Sequence, residues 1–573
     1  MKRKKIAIAL SAALSVSVLA GCGGSDNGSN GGGTTDLSSD VVTTYEATDM
    51  SKNPAAATAE NRKDTLVIGT IAPDGVFNPL YAESAYDSYP TEVMFAPLMA
   101  PQADGSMGPY LAEAQPEVSE DGLTYTYKIK KDAKWSDGTD ITAKDVELAV
   151  KIACDSSYTG VADYRTGRVK VKGAQEYFEG KADSISGVEV VDDKTVKFTL
   201  LEKSSSAEIV LGGTQPVNTA YTSKFYTQGN TDKMKETFTN PGPTSGAYKF
   251  KSYKKGEELV LEANDDFFLG KPGIKNIVYK VTTEETKLQM LEAGDIDFVE
   301  LSVSDDYVKH SQDLGYIGYK LYPTNGYGYI CFNHNKPQFQ DPAVRKALTV
   351  ALDRQTITSS IFNQYAEVIN VPQTKASWAY YEGDNKYEYN LEEAKKILDE
   401  AGWKVGADGI REKDGVKLTI NFTGTSDNDV VDSILSVSND GWKELGVKYT
   451  SEKLDFTSMR EKQKGNDWDM MFMAWGLTND PNDMDVYGTN GSQNKVNYSN
   501  EKVDKLYEQI NKELDKEKAK ELYKQLYTEL NNDLPYIFVY QRSDMWAYNG
   551  RVKGLDISPF VHYSWNLYKA TLE

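Results

Sequence analysis

The chain has 573 residues and a formal net charge of −21, from 64 Lys and Arg against 85 Asp and Glu. Apolar residues are 39% and charged residues 26%, which suits globular cores and excludes a multi-span membrane protein. The acidic balance speaks against a phosphate-gripping nucleic-acid face, and three Cys and three His exclude a disulfide scaffold and nearly exclude a multi-His metal centre. At roughly 100–200 residues per domain, the length predicts two to four domains.

In chain order, Lys2, Arg3, Lys4 and Lys5 precede an apolar stretch from Ile6 to Ala20. That stretch is shorter than the ~20 residues of a membrane-spanning helix and fits the core of a secretion signal. Leu19-Ala20-Gly21-Cys22 follows and resembles the lipobox of bacterial lipoproteins. The resemblance implies a signal peptide over 1–21 and a lipidated Cys22; an ordinary signal with a chance Cys is the alternative. Loss of four basic residues leaves the mature chain more acidic still, so acyl chains rather than surface charge anchor it. Residues 22–63 are rich in Gly, Ser, Asn, Thr and Ala without an apolar period. They read as the lipidated Cys and a flexible linker.

The folded body is expected from about Asp64. Leu66–Gly69 is a short apolar run, and Leu123–Ile129 alternates and is rich in Thr and Tyr; both suit strands. Val188–Val191 and Thr195–Leu200 predict a hairpin, and Leu259–Leu261 and Ile277–Val281 further strands. Helices are predicted over Pro342–Leu352, with Pro at the first turn, and after Asn390, ending at Gly402. Glu501–Leu514 and Lys516–Leu530 are two more amphipathic runs. Interleaved strands and helices indicate an α/β or α+β class with several lobes, and no internal repeat is evident.

Several motifs occur in order along this body. Gly108–Val146 contains Leu111-Ala112-Glu113, Asp121-Gly122, Trp135-Ser136-Asp137-Gly138 and Thr142-Ala143-Lys144-Asp145-Val146. Gly242–Tyr248, Leu261–Asn264, Gly294-Asp295-Ile296-Asp297, Asp341–Leu348, Ala351–Arg354, Trp475 near Asp480-Pro481, and Leu534–Ile537 follow. Together they resemble the oligopeptide-binding family of extracellular solute-binding lipoproteins, the family 5 receptors of ABC importers. Each motif also has a local structural reading. Trp135–Gly138 makes a turn, Thr142–Asp145 starts a helix, and Arg345 suits an ion-pair partner on a helix face better than a ligand contact.

The resemblance implies an α/β fold, a two-lobed periplasmic-binding-protein-like clamp of type II with three structural domains and a hinge. Lobe 1 would combine 64–101, 206–283 and 531–573; a second domain over 102–205 would attach to it; lobe 2 would be 284–530. The hinge crossovers would lie near Val281–Glu285 and Asn531–Tyr536. It further implies a lipid-anchored, monomeric receptor on the extracytoplasmic face of the cell membrane. This receptor would capture oligopeptides between its lobes and deliver them to the permease subunits of an ABC transporter, with no cofactor and no nucleic-acid partner. The same clamp could take a dipeptide, oligosaccharide, haem or nickel chelate, or serve as a signalling-peptide receptor.

An enclosed peptide needs its backbone groups paired and its ammonium matched to a carboxylate. In the resembling family an Asp just after the Trp of the Trp…Asp-Pro segment takes the ammonium. Here the third position after Trp475 is Thr478, which puts that role in doubt. Asp480 is the replacement candidate and Asp483 the second, although Asp480 could simply cap the turn before Pro481. Trp475 could stack on ligand or fill the lobe core, and Gly476 would let a backbone approach. Tyr327 and Tyr329, in Tyr327–Asn333, are a second candidate cleft wall or ordinary sheet packing. No metal site is expected: His310, His334 and His562 are scattered. No catalytic residue is expected either, since G-x-S-x-G, H-E-x-x-H and P-loop motifs are absent. Cys154 and Cys331 are expected as free thiols.

Overall fold

A computed structural model describes residues 42–426 and 428–573, without the Thr457 side chain. The expected signal peptide and Cys22 lie outside the described residues. Among the described residues no helix is long and apolar enough to cross a membrane.

Ten strands form the path of one large mixed sheet: β1 (Thr65–Thr70), β2 (Tyr248–Lys254), β3 (Glu258–Ala263), β4 (Asn276–Val281), β5 (Phe298–Leu301), β6 (Gly326–Phe332), β7 (Thr419–Thr425), β8 (Lys448–Leu454), β9 (Met470–Gly476) and β10 (Tyr536–Asn549). Their spatial order is β8-β7-β9-β6-β10-β5-β1-β4-β3-β2. The strand β10 is shared. Its start, Tyr536–Tyr540, pairs with β6; Ser543–Asn549 pairs with the strand Ile317–Pro323, and Met545–Tyr548 pairs with β5.

The buried side chains separate on either side of this shared strand. One core runs from Leu66 through Tyr279 and Phe298 to Tyr322, Trp546 and Ala570, with a satellite around Val299, Tyr319 and Met545. The other packs β6–β9 against helices: Ile330, Leu348, Leu398, Trp442 and Tyr540 on one face, Tyr327, Tyr507, Tyr527 and Phe538 on the other. The molecule is a two-lobed clamp. A separate four-stranded sheet, Glu117–Val118, Thr124–Lys128, Thr195–Thr199 and Val188–Asp192, carries the helix Ala143–Ala153 and joins the first core.

The crossings differ from those expected. Phe298–Leu301 and Ile317–Pro323 pair within the first lobe, so 284–323 belongs there rather than to lobe 2. The chain crosses at 324–325 and again at 541–542 within β10, not near Val281–Glu285 and Asn531–Tyr536. The reason is hydrophobic: Phe298, Ile317 and Tyr319 are buried against β1 and the far half of β10. The linker reading of 22–63 also changes over its described part. Thr43–Tyr45 adds an edge strand to Tyr319–Leu321, Tyr45 stacks on Tyr319 at 5.1 Å, and Arg62 pairs with buried Asp297.

Most of the motif residues tie segments together. Asp145 accepts from Trp135 Nε1 (3.1 Å), Thr142 N (2.8 Å) and Thr219 N (2.8 Å), joining turn, helix start and a distant loop. Asp297 pairs with Arg551 at 2.9 Å and accepts from Val67 N. Arg345 pairs with Asp533 and donates to the Phe339 and Leu534 carbonyls, the structural role expected of it. Buried Arg354 donates to the carbonyls of Ile369, Phe538 and Tyr387, and burial lowers its pKa to about 10. Cys154 and Cys331 are free and buried.

Candidate functional site

The strand β9 ends where Gly476 pairs with Gly326. Asn325, in the first crossing, then holds the chain beyond: its carbonyl accepts from Leu477 N (2.8 Å) and its amide donates to the Leu477 and Thr478 carbonyls (3.2 and 3.1 Å). This clamp carries residues 476–479 into the gap between the lobes. A cavity of about 490 Å³ opens there, lined on one side by Met99, Met107 and Ile209 and on the other by Asn325 and Gly476–Asn479. A second, of about 500 Å³, shares Met107, Ile209 and Asn479 and reaches Asp480 and Trp378. A third, of about 390 Å³, lies between Tyr158–Arg165 and a wall of Tyr329, Arg460 and Trp475. Each falls within the ~300–1,000 Å³ usual for ligand sites.

Gly476 and Thr478 face the first of these cavities, and a Cβ built on Gly476 would meet nothing within 4 Å. Trp475 and Tyr329 line the third; their rings are parallel with centroids 6.1 Å apart, and Tyr329 stacks on Tyr536 at 4.4 Å. Tyr327 is different. It packs inside the lobe, its hydroxyl 2.6 Å from that of Tyr487, and lines none of the three cavities. Alternation along β6 does not separate these two residues, since Tyr327 and Tyr329 share a face; Tyr329 stacks with Trp475 and Tyr536, whereas Tyr327 meets Phe538 edge-on and Tyr487 through its hydroxyl.

Asp480 is buried at the rim of the second cavity and already matched. Arg168, from the opposite side of the gap, pairs with it at 2.8 Å and with Asp485 at 3.2 Å. Asp480 also accepts from Asn482 N at 3.0 Å, the turn-capping role open to it in the sequence. Burial works against the Arg168 charge, but Asp480, Asp485 and Asp483 outweigh it and hold the guanidinium above its ordinary pKa. Asp483 lines none of the three cavities. Burial pushes its carboxyl well above the usual range against the pull of Arg168, with Asp480 and Asp485 adding to the rise. Beside this ion pair, Asn511 accepts from Ser205 N (2.7 Å) and donates to the Arg168 carbonyl (3.1 Å), and Asn479 donates to the Gly105 carbonyl (3.3 Å). These contacts bridge the lobes.

The first cavity also has an acidic wall that the sequence motifs do not mark. Glu92, Glu300 and Asp544 line it. Burial raises the Glu92 carboxyl to about 7, against the hydrogen bond from Ser564. Burial and then the Asp544 charge push Glu300 up to about 7, with Arg542 opposing. Burial raises Asp544 as well, and Arg542 again opposes. His562 sits beside them, held far below its ordinary pKa by burial and therefore neutral. The available signal in the sequence was polar interruption: Glu300 breaks Phe298–Leu301, and Arg542–Asp544 breaks the apolar run of β10. Among the described residues no group of three His, Cys, Asp or Glu side chains is arranged to hold a metal ion.

Two lobes joined by crossing strands, with cavities lined from both sides, define a solute-binding clamp. Residues 106–497 match the model of the bacterial extracellular solute-binding proteins, family 5 (middle region), and the chain belongs to that family. It is 28% identical to the oligopeptide-binding protein AppA of Bacillus subtilis over 507 residues, covering 86% of this chain and 89% of that protein. The solved structure of AppA in complex with a nonapeptide superposes with a TM-score of 0.76, at 28% identity, over 89% of this chain and 99% of that one. Lactococcal OppA, complexed with an endogenous peptide in the closed conformation, shares the fold at 20% identity, with a TM-score of 0.79 over 89% of this chain and 100% of that one.

Proposed function

We propose that this protein captures oligopeptides between its lobes and passes them to the permease subunits of an ABC importer, altering no covalent bond in them. The observation that carries the reading is the set of cavities lined from both lobes along Trp475–Asp480, in a chain similar to a protein solved with a nonapeptide. A ligand seated there touches both lobes at once, so its binding energy favours the closed arrangement over the open one. The crossings at 324–325 and 541–542 would serve as the hinge. Trp475, Gly476, Thr478 and Tyr329 would contact the guest. Asp480 would act in closure through Arg168 rather than as the partner of a peptide ammonium, because its carboxylate is already paired. We further propose that the receptor works as a monomer held to the extracytoplasmic face of the membrane through lipid on Cys22.

Native mass spectrometry of protein purified without denaturation tests the reading. Peptide masses released on unfolding are the expected result; sugars or metal chelates alone would reject it. In cells, Cys22→Ser should move the protein from the membrane fraction to the soluble one.

A further inference from the structure

Resting on the peptide-capture reading, we propose that Asn325, Thr374 and Gln541 are positioning residues. They weld the guest-bearing segment 477–478 and both crossing strands to the second lobe, so that the hinge bends beyond them, at Pro323 and Ser543.

The two crossings run side by side. Pro323 pairs with Ser543, and Thr324 N donates to the Arg542 carbonyl at 2.9 Å. Beyond that point the side-chain contacts lead into the second lobe. Gln541 is buried; its amide donates to the Thr324 carbonyl at 3.0 Å, and its side-chain oxygen accepts from Lys375 N at 3.3 Å. One side chain thus ties the two crossings to each other and to the stretch 374–375. Along the strand's other edge, Ala366 and Glu367 pair with Arg542 and Gln541.

The same stretch reaches the guest site. The buried Thr374 hydroxyl donates to Asn325 Oδ1 at 2.9 Å. The Asn325 amide donates to the Leu477 and Thr478 carbonyls at 3.2 and 3.1 Å, and the Asn325 main-chain carbonyl accepts from Leu477 N at 2.8 Å. Every polar end of that side chain is matched. An Asp at this place would lose both donors and a Leu all of the side-chain bonds, so chemistry and not size alone sets the residue.

This arrangement has two physical consequences. Turning 324–325 or 541 against the second lobe would strand several donors and acceptors at once, and each buried group left unpaired carries its desolvation penalty. On the first-lobe side the ladder is thinner, because Pro323 has no N–H to contribute. The bend therefore falls there. In addition, segment 477–478 is held in place before a guest arrives, so binding does not have to order it. A guest pressing on Gly476–Thr478 then moves the second lobe as one body instead of flexing its own platform. Thr374 and Gln541 line none of the three cavities. What they do to binding they do through Asn325 and the crossings.

The test uses the ligand-stripped full chain, with penta-alanine and a randomised nonapeptide pool as probes, and two variants that do not touch the guest. Thr374→Val removes the hydroxyl at nearly unchanged shape, and Gln541→Met removes both hydrogen bonds of the amide; circular dichroism checks that each folds, and either folded variant decides. Calorimetric titration should show binding weakened about fivefold or more in each. Hydrogen exchange of the ligand-free protein should show the Leu477 amide exchanging roughly tenfold faster in each, while the Ile330 amide in β6 keeps its wild-type rate. Thr374→Ser, which retains the hydroxyl, should restore both properties. Wild-type affinity in a folded variant, weakened binding without faster Leu477 exchange, or failure of Thr374→Ser to restore them would overturn the weld while leaving peptide capture standing. Binding of neither probe by the wild type would overturn the capture reading, and the Leu477 exchange rates would then judge the weld by themselves.

Discussion

His334 shows how a single buried ring can set the acid limit of this fold. Its Nε2 lies 3.0 Å from the Pro535 carbonyl, at the turn where the chain enters β10. Burial, with the nearby Arg345 charge adding to it, lowers the ring to about 4 from an ordinary 6.5. The folded state therefore resists protonation that the unfolded state accepts. The stability tied to the neutral ring is complete above pH 6.5 and is lost as the pH falls from 6.5 towards 4, at up to about 1.4 kcal/mol per pH unit. Urea titrations at pH 7.5, 6, 5 and 4.5 should show a shallower acid decline for His334→Gln than for the wild type. Identical slopes would remove His334 from the account. The same scale holds the site residues that were hardest to read. Asp480 looked equally like a turn cap and a ligand anchor because the residue that commits it, Arg168, lies 312 positions away.

At the scale of elements, local signals carried well where local chemistry decides. The helix Leu391–Glu400 starts at Asn390, which accepts from Glu393 N, and stops before Gly402 at φ +86°; both ends were legible from residue type. The helix Asp429–Glu444 was not legible, since Ser438, Asn439, Asp440 and Gly441 blur its apolar stripe. Gly441 explains itself only in three dimensions: a Cβ there would lie 2.4 Å from the Ala351 carbonyl oxygen. Alanine gains roughly 1 kcal/mol in helix propensity, but the overlap with fixed backbone costs about 1–3 kcal/mol. Gly441→Ala should therefore lower the urea midpoint. Gly465→Ala, whose methyl would come no closer than 3.5 Å to the preceding turn, should not. A rise in midpoint for Gly441→Ala would mean the helix shifts freely. The segment 42–63 is the mirror case. Its composition reads as linker, yet stacking of Tyr45 on Tyr319 and the Arg62–Asp297 pair dock it, because an open sheet edge and a buried carboxylate elsewhere offered it partners.

For the whole molecule, motif order and spacing were enough to anticipate two lobes with a gap, and not enough to locate the crossings. Pairing energy decided those: β5 and the strand Ile317–Pro323 found β10. Arg168 is the more buried of two cations in the bridge between the lobes, Lys512 pairing with Glu202 nearer the surface. Arg168 faces Asp480 and Asp485 directly, with the Asp483 carboxyl adding its charge. Removing one partner of a buried pair typically costs 2–5 kcal/mol, much of it from the charge left behind. Arg168→Gln should therefore weaken peptide binding at least tenfold and increase the radius of gyration of the ligand-free protein in small-angle scattering. Unchanged scattering and affinity would show that closure does not draw on this pair.

One ribbon of 14 residues, Tyr536–Asn549, belongs to both halves, and Asp544 sits just past its changeover. A guest touching Asp544 presses next to the axle. Leverage follows: a nudge of a fraction of an ångström near the pivot becomes a much wider swing where the jaws meet. Tuning the chemistry at the pivot would then retune how readily the mouth shuts, with no alteration to the lips themselves.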